Sequence, residues 1–259
     1  MAISTSSTVY ANTQKPIINE GGVQLRPATE ADLDDLVTVV IESFAPGPVW
    51  QYLFPHLNKY KDYYWHCLRH EAGTQFAHRP NTTFINVVSI PNTGGANTCG
   101  GQQGSRERVV ALGVWKFLAE SNKEVHQTHS SVFDPRLMYA NCSDHLEANM
   151  TRAVDFQRQI DIAEKRYIFD FPEPQLLLSL LATHPSWDGY GFGAANVKWG
   201  IERAKKLGKH LPVTLLATPA GWPLYDSLDF ESVANITINT VDDDLDDLWF
   251  EYMRHDALE

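Results

Sequence analysis

Three glycines spaced two apart, Gly189, Gly191 and Gly193, stand between an apolar run and a helical pattern. The run is Gln175–Thr183 (QLLLSLLAT). It ends at His184-Pro185, and the pattern at residues 194–208 (AANVKWGIERAKKLG) follows. A strand, a glycine-rich turn and a helix N-terminus, in that order, leave backbone N–H groups converging on one place. Such a place binds phosphate, because the unpaired amides and the helix dipole both favour an anion. Glycine lets the backbone turn tightly and approach the ligand without a side chain in the way. Gly189-x-Gly191-x-x-Ala194 formally satisfies the dinucleotide fingerprint. That reading requires an acid about 20 residues further on, at a strand end, to hold a ribose. Lys205, Lys206 and Lys209 make the intervening region basic, and the next strand candidate, residues 212–219 (PVTLLATP), has no acid. A dinucleotide is therefore the weaker reading.

Residues 181–193 (LATHPSWDGYGFG) resemble motif A of the GNAT acetyltransferases, Arg/Gln-x-x-Gly-x-Gly/Ala after a strand. Gly191-Phe192-Gly193 fits, and Asp188 stands where Arg or Gln is usual. Residues 218–230 (TPAGWPLYDSLDF) resemble motif B, Ala-x-x-x-Tyr-x-x-x-Gly-Phe, with Asp229 replacing the Gly. Residues 23–32 (VQLRPATEAD) match the family's first strand and the turn into its first helix. The three matches run in the family's order over about residues 22–240, in the manner of fungal GNAT-domain proteins. The resemblance implies an α/β (α+β) GNAT fold: a mixed central sheet with splayed parallel strands, flanked by helices. It also implies acetyl-CoA as cosubstrate and N-acetyl transfer to a primary amine by direct attack in a ternary complex.

By the same resemblance, main-chain groups of Leu181, Ala182 and Thr183 pair with the pantetheine arm. The amides of Asp188, Gly189, Tyr190, Gly191, Phe192, Gly193 and Ala194 hold the pyrophosphate. Tyr225 stands where many of these enzymes place a tyrosine beside the CoA sulfur, and a phenol suits protonation of a departing thiolate. Packing on an amphipathic helix beside Leu224, Leu228 and Phe230 is the other reading of Tyr225. Candidates for the general base are His184, Asp170 and Glu173, a carboxylate acting through water. A catalytically weak acyl-CoA-binding module is the alternative function, and Asp188, Asp229 and the unassigned base favour it.

Composition narrows the partners. The chain has 259 residues, 43% of them hydrophobic, and 32 acids against 21 Lys+Arg for a formal net charge of -11. A nucleic-acid partner needs a basic face and is not expected. A small amine acceptor suits the acidic balance. The N-terminus (MAISTSSTVYANTQ) has no basic n-region or apolar core, and no apolar run reaches membrane-spanning length. Cys67, Cys99 and Cys142 are widely spaced, with no CxxC. They imply neither a disulfide framework nor zinc, and suit a reducing, cytoplasmic setting. His126 and His129 lack a third ligand, so no metal is expected. The assembly is expected to be a monomer or homodimer.

The elements that must position these groups follow from pattern. Residues 1–20 read as a disordered tail and 21–259 as a single domain, with an insertion at about 119–174. Residues 23–26 read as a strand. Thr29 and Asp32 resemble a capping box opening a helix at 31–44, with Leu33, Leu36, Val37, Val40, Ile41 and Phe44 on one face. Pro46 and Pro48 break the chain. Residues 58–78 read as a second helix whose Tyr60, Tyr63, Tyr64 and Trp65 either pack in the core or border the acceptor. Strands are expected at 83–90 and 108–118, joined by a polar loop, and a helix at 144–166. Beyond the glycine turn come a strand at 213–218 and a short helix at 220–228, and residues 233–239 close the sheet. The acidic run 242–247 (DDDLDD) reads as a solvated face. Trp249, Phe250 and Tyr252 suggest that the end docks.

Overall fold

The computed structural model describes residues 23–91, 107–119, 121, 142, 144–207, 211–242 and 245–256. The expectations for residues 1–20, for the loop at 92–106 and for His126 and His129 lie outside them.

Among the described residues, seven strands form one sheet in the order β1-β2-β3-β4-β5-β7-β6. They are β1 (Gln24–Pro27), β2 (Thr83–Pro91), β3 (Glu107–Leu118), β4 (Gln175–Thr183), β5 (Pro212–Ala217), β6 (Glu231–Ile238) and β7 (Leu248–Asp256). Every neighbouring pair is antiparallel except β4 with β5. Eight of nine β2 residues are buried, because helices cover both faces of the sheet there. The chain end does more than dock: β7 inserts between β5 and β6, so residues 231–238 form the sheet's outer edge. They close the sheet as expected, but against β7.

The first face carries α1 (Leu33–Phe44), α2 (Pro48–Leu53), α3 (Lys61–His78) and α4 (Met150–Glu164). The second carries α5 (Phe192–Leu207) and α6 (Trp222–Asp226). Asp32 organises the start of α1. Its carboxylate accepts from the Thr29 N–H (2.7 Å) and hydroxyl (2.9 Å) and pairs with both terminal nitrogens of Arg26 (2.8 Å each). A short 3-10 turn, Glu30–Asp32, precedes the helix. Pro48 does not only break the chain; it opens α2, where its missing N–H and fixed φ suit a first helical turn. Of the α3 aromatics, Tyr64 is fully buried in the first-face core, and Trp65 donates to Thr38 Oγ1.

One expectation is overturned. Cys67, on α3, and Cys142, in the returning insertion, form a disulfide with Cα atoms 5.9 Å apart across 75 residues of sequence. The pair is set by where Cys142 lies beside α3, which spacing along the chain does not encode. The segment after it is docked on the same helices. His56 N–H donates to the Glu147 carbonyl, and Asn149 N–H to the Leu53 carbonyl.

Candidate active site

β4 and β5 run side by side for only three residue pairs, Leu176 with Val213 through Leu178 with Leu215. The separation has a local cause. Between Val114 and Trp115 the β3–β4 register slips by one, leaving Ser179 as an extra residue on β4. Such a bulge bends its strand and ends regular pairing. Ser179 Oγ turns back to the Val114 carbonyl (3.2 Å). Beyond it β4 stays paired with β3 up to Thr183, but its other edge faces a slot instead of β5. Leu180, Leu181, Thr183 and Leu216 are half-buried along this slot, whereas Leu176–Leu178 are buried. The bulge also resets the faces: Leu180 and Ala182 pack on the α1–α4 side, and Leu181 on the α5–α6 side.

The glycine turn closes the second-face end of the slot. His184 caps a 3-10 turn, Pro185–Trp187, through its Nδ1, which accepts from Ser186 N–H (3.2 Å). Gly189 and Gly191 have φ of +81° and +79°, the left-handed region that side chains resist. The first α5 donor paired within the helix is Ala195, to the Gly191 carbonyl (2.9 Å). The amides of Phe192, Gly193 and Ala194 therefore point out of the helix end as an anion cradle. A methyl on Gly193 would stand 3.3 Å from Leu224, 3.6 Å from Thr183 Oγ1 and 3.8 Å from Leu181. The end of β4, the start of α5 and helix α6 thus meet at this glycine. Asp188 is exposed on the rim of the turn.

Tyr225 follows Leu224 on α6. It is buried with Leu215 and Ala217 of β5, its ring 5.7 Å from that of Phe230. Burial holds its phenol protonated, well above its ordinary value. Asp229 has φ +63°, the conformation its usual glycine would adopt freely. His184 is half-buried beside this end of β4. Burial pushes its imidazole below its ordinary value; Glu42 opposes that, Arg108 reinforces it, and Asp188 opposes it more weakly. Asp170 and Glu173 are exposed and precede the other end of β4, and Asp170 pairs with Lys165 (2.7 Å). Glu173 lies before β4 begins at Gln175, which itself precedes the last paired residue, Leu178, by three positions, about 10 Å of extended chain. The structure therefore places the glycine turn and His184 after the end of β4, with Leu224 of α6 beside Gly193, and leaves the two carboxylates before its start.

On the first face the slot is walled by elements that sequence reasoning did not connect. The Ser43 hydroxyl, shared with the Val39 carbonyl, donates to the Thr183 carbonyl (2.6 Å) and ties α1 to β4. Tyr52 of α2 accepts from Val241 N–H (3.0 Å), and Arg152 of α4 pairs with Asp242 (2.7 Å). Asp242, expected on a solvated face, thus anchors the β6–β7 turn. Gln159 holds Asn239 with two bonds, one accepting its N–H and one donating to its carbonyl. These contacts lie far apart in sequence, and no pattern in the sequence marked them.

No protein-family model matches the sequence, and neither does any curated protein sequence. Solved structures do match. A mosquito arylalkylamine N-acetyltransferase-like 5b is similar over 90% of this chain and 99% of its own, with a TM-score of 0.54 at 11% identity. A Drosophila melanogaster polyamine N-acetyltransferase is similar over 90% and 99%, with a TM-score of 0.52 at 14% identity. The fold is the GNAT fold. The expected mixed sheet with parting parallel strands is present. Among the described residues no group of His, Cys, Asp and Glu is arranged to hold a metal, and no helix is long and apolar enough to cross a membrane.

Proposed function

We propose that this protein is an acetyl-CoA-dependent N-acetyltransferase acting on a small primary amine. The observation that carries the reading is the parting of β4 from β5 at Ser179, with the Gly189–Gly191 turn closing the slot. The residues present fit acetyl-CoA. Two left-handed glycines and three outward amides suit a pyrophosphate, and the free edge of Leu180–Thr183 suits an extended amide-bearing arm. The cosubstrate supplies an activated thioester carbon when bound.

The chain's own residues then have three tasks. The amides of the turn hold the anion without a cationic side chain, which explains how Asp188 is tolerated on the exposed rim. The β4 main chain orients the thioester carbonyl. Tyr225 holds a proton ready for sulfur. In the transfer, the amine nitrogen bonds to the acetyl carbon, the carbon–sulfur bond breaks, and the electron pair leaves on sulfur. Sulfur takes the Tyr225 proton; the excess amine proton passes to solvent or to His184, which its surroundings keep neutral. A small amine is favoured because the matched solved structures are named for arylalkylamines and polyamines. It is favoured also because the contacts of α2 and α4 with the β6–β7 turn narrow the first face without closing it.

Calorimetric titration with acetyl-CoA, with NADPH as control, tests the cosubstrate. Micromolar acetyl-CoA binding without NADPH binding, followed by amine-dependent CoA release, is the expected result. Absence of acetyl-CoA binding would end the reading; binding without CoA release from any amine would favour the non-catalytic module.

A further inference from the structure

The glycine turn occupies the second-face mouth of the slot, so on the acetyltransferase reading the amine must arrive from the first face. There, Tyr252 of β7 stands opposite Leu216 of β5 in register, and its ring stacks on Tyr167 with centroids 5.4 Å apart. Tyr167 belongs to a five-residue π-helical turn, Lys165–Phe169, that leads from α4 towards β4; such turns recur at functional sites. Leu180, Leu216, Tyr167, Phe169 and Ala234 all pack, only partly buried, on this same face. Tyr252 itself is 3% exposed, yet its hydroxyl has no hydrogen-bond partner among the described residues. A buried hydroxyl without a partner is a standing loss to the fold and calls for an explanation. Phenylalanine would fill the same space without that loss.

We infer that the Tyr252 hydroxyl positions the acceptor, accepting an N–H of a primary amine whose apolar body lies against Leu180, Leu216 and Tyr167. The inference rests on the proposed acetyl transfer and names its acceptor: a primary amine on an apolar, ring-sized body. Held by one N–H, the amine keeps its lone pair free to face the slot where the thioester would lie. Burial lifts the phenol to about 12, Arg254 opposing, so the hydroxyl is a neutral positioning group throughout the working range rather than a base. A neutral anchor among apolar side chains discriminates against a polycation, whose other charges would be left without partners.

The test compares the full chain with Tyr252→Phe in three measurements: calorimetry with acetyl-CoA, CoA release with 2-phenylethylamine and with spermidine, and thermal melting. The expected variant binds acetyl-CoA as the wild type does and melts no lower. Its kcat/KM for 2-phenylethylamine falls about tenfold, mostly through KM, as expected for one lost hydrogen bond. The wild type prefers 2-phenylethylamine to spermidine. Unchanged kcat/KM, or a clear fall in melting temperature showing that the hydroxyl is bonded within the fold, overturns the inference. So does a wild type that binds acetyl-CoA and acetylates only spermidine; the acetyltransferase reading survives those results. A wild type that does not bind acetyl-CoA overturns both.

Discussion

Helix α5 brings its N-terminal amides to the slot only because it lies unusually close to β3, and Gly200 sets that approach. A methyl built on Gly200 would stand 2.0 Å from Trp115 Cη2 and 2.4 Å from both Cζ2 and Cζ3. Carbon atoms in contact rest about 3.5–4.0 Å apart, so roughly 1.5 Å must be found. Trp115 cannot supply it. Its side chain is fully buried, with the Trp199 ring 5.9 Å away and Gly113 and Asn196 against its Nε1 end. The helix must therefore lift. Overpacking of this kind costs about 1–3 kcal/mol, and the rigidity of the indole places Gly200→Ala at the upper end. Alanine recovers about 1 kcal/mol of helix propensity. The net expectation is a loss of about 2 kcal/mol, a fall in melting temperature of about 4–8 °C. Because the lift displaces the Gly191–Ala194 amides, acetyl-CoA affinity should fall as well. Calorimetric melting and acetyl-CoA titration of Gly200→Ala read both effects. Trp115→Phe makes room, so the double variant should be no less stable than Trp115→Phe alone. A melting temperature that rises, as propensity alone dictates, would refute the steric argument.

Tyr225→Phe should reduce turnover about 100-fold while leaving acetyl-CoA affinity within error, measured by CoA release and calorimetry; unchanged turnover removes the proton-donor role. Asp188→Gln takes a carboxylate away from the anion cradle and should tighten acetyl-CoA about fivefold, an effect of about 1 kcal/mol that shrinks with added salt. Weaker binding would mean that Asp188 supports the turn. Asp229→Gly relieves a left-handed residue at φ +63° and should stabilise the chain by about 1 kcal/mol in denaturant unfolding, with no change in turnover. Thiol titration of the denatured chain should find one free cysteine before reduction and three after it. Opening a loop of 75 residues should cost about 4 kcal/mol on the chain-entropy account, seen as a lower unfolding midpoint.

The glycine-turn end of the candidate site was legible because its structure is local. A strand, three glycines and a helix start within 20 residues of one another, and the backbone of Gly189 and Gly191 adopts the conformation that glycine alone makes easy. Asp229 was marked by the motif B resemblance as standing where glycine is usual, and its φ is +63°. The bulge at Ser179 was not, since the register of β4 is decided by β3, whose partner residues are more than 60 positions away. Likewise β7 reads as a tail of aromatic residues until its place between β5 and β6 is seen. The first-face wall depends on Tyr52 meeting Val241 and Arg152 meeting Asp242, contacts that no periodicity marks. Cysteine spacing misled because a disulfide answers to distance in space. The orphaned hydroxyl of Tyr252 is invisible in a sequence, where every tyrosine looks alike.

A sheet that opens in its own middle carries four edges instead of two, and unpaired edges invite other chains to add strands. The outer two are guarded by ordinary means. β1 is only four residues long and ends in proline, and β6 presents Glu231, Ser232, Asn235 and Thr237 to solvent. The inner two, along Ser179–Thr183 and the end of β5, face one another between α1 on one side and α5 with α6 on the other. A foreign strand would have to displace a helix to reach them, whereas a slender, flexible molecule would not. The opening proposed to take the cosubstrate therefore also excludes the commonest route by which exposed backbone leads to aggregation.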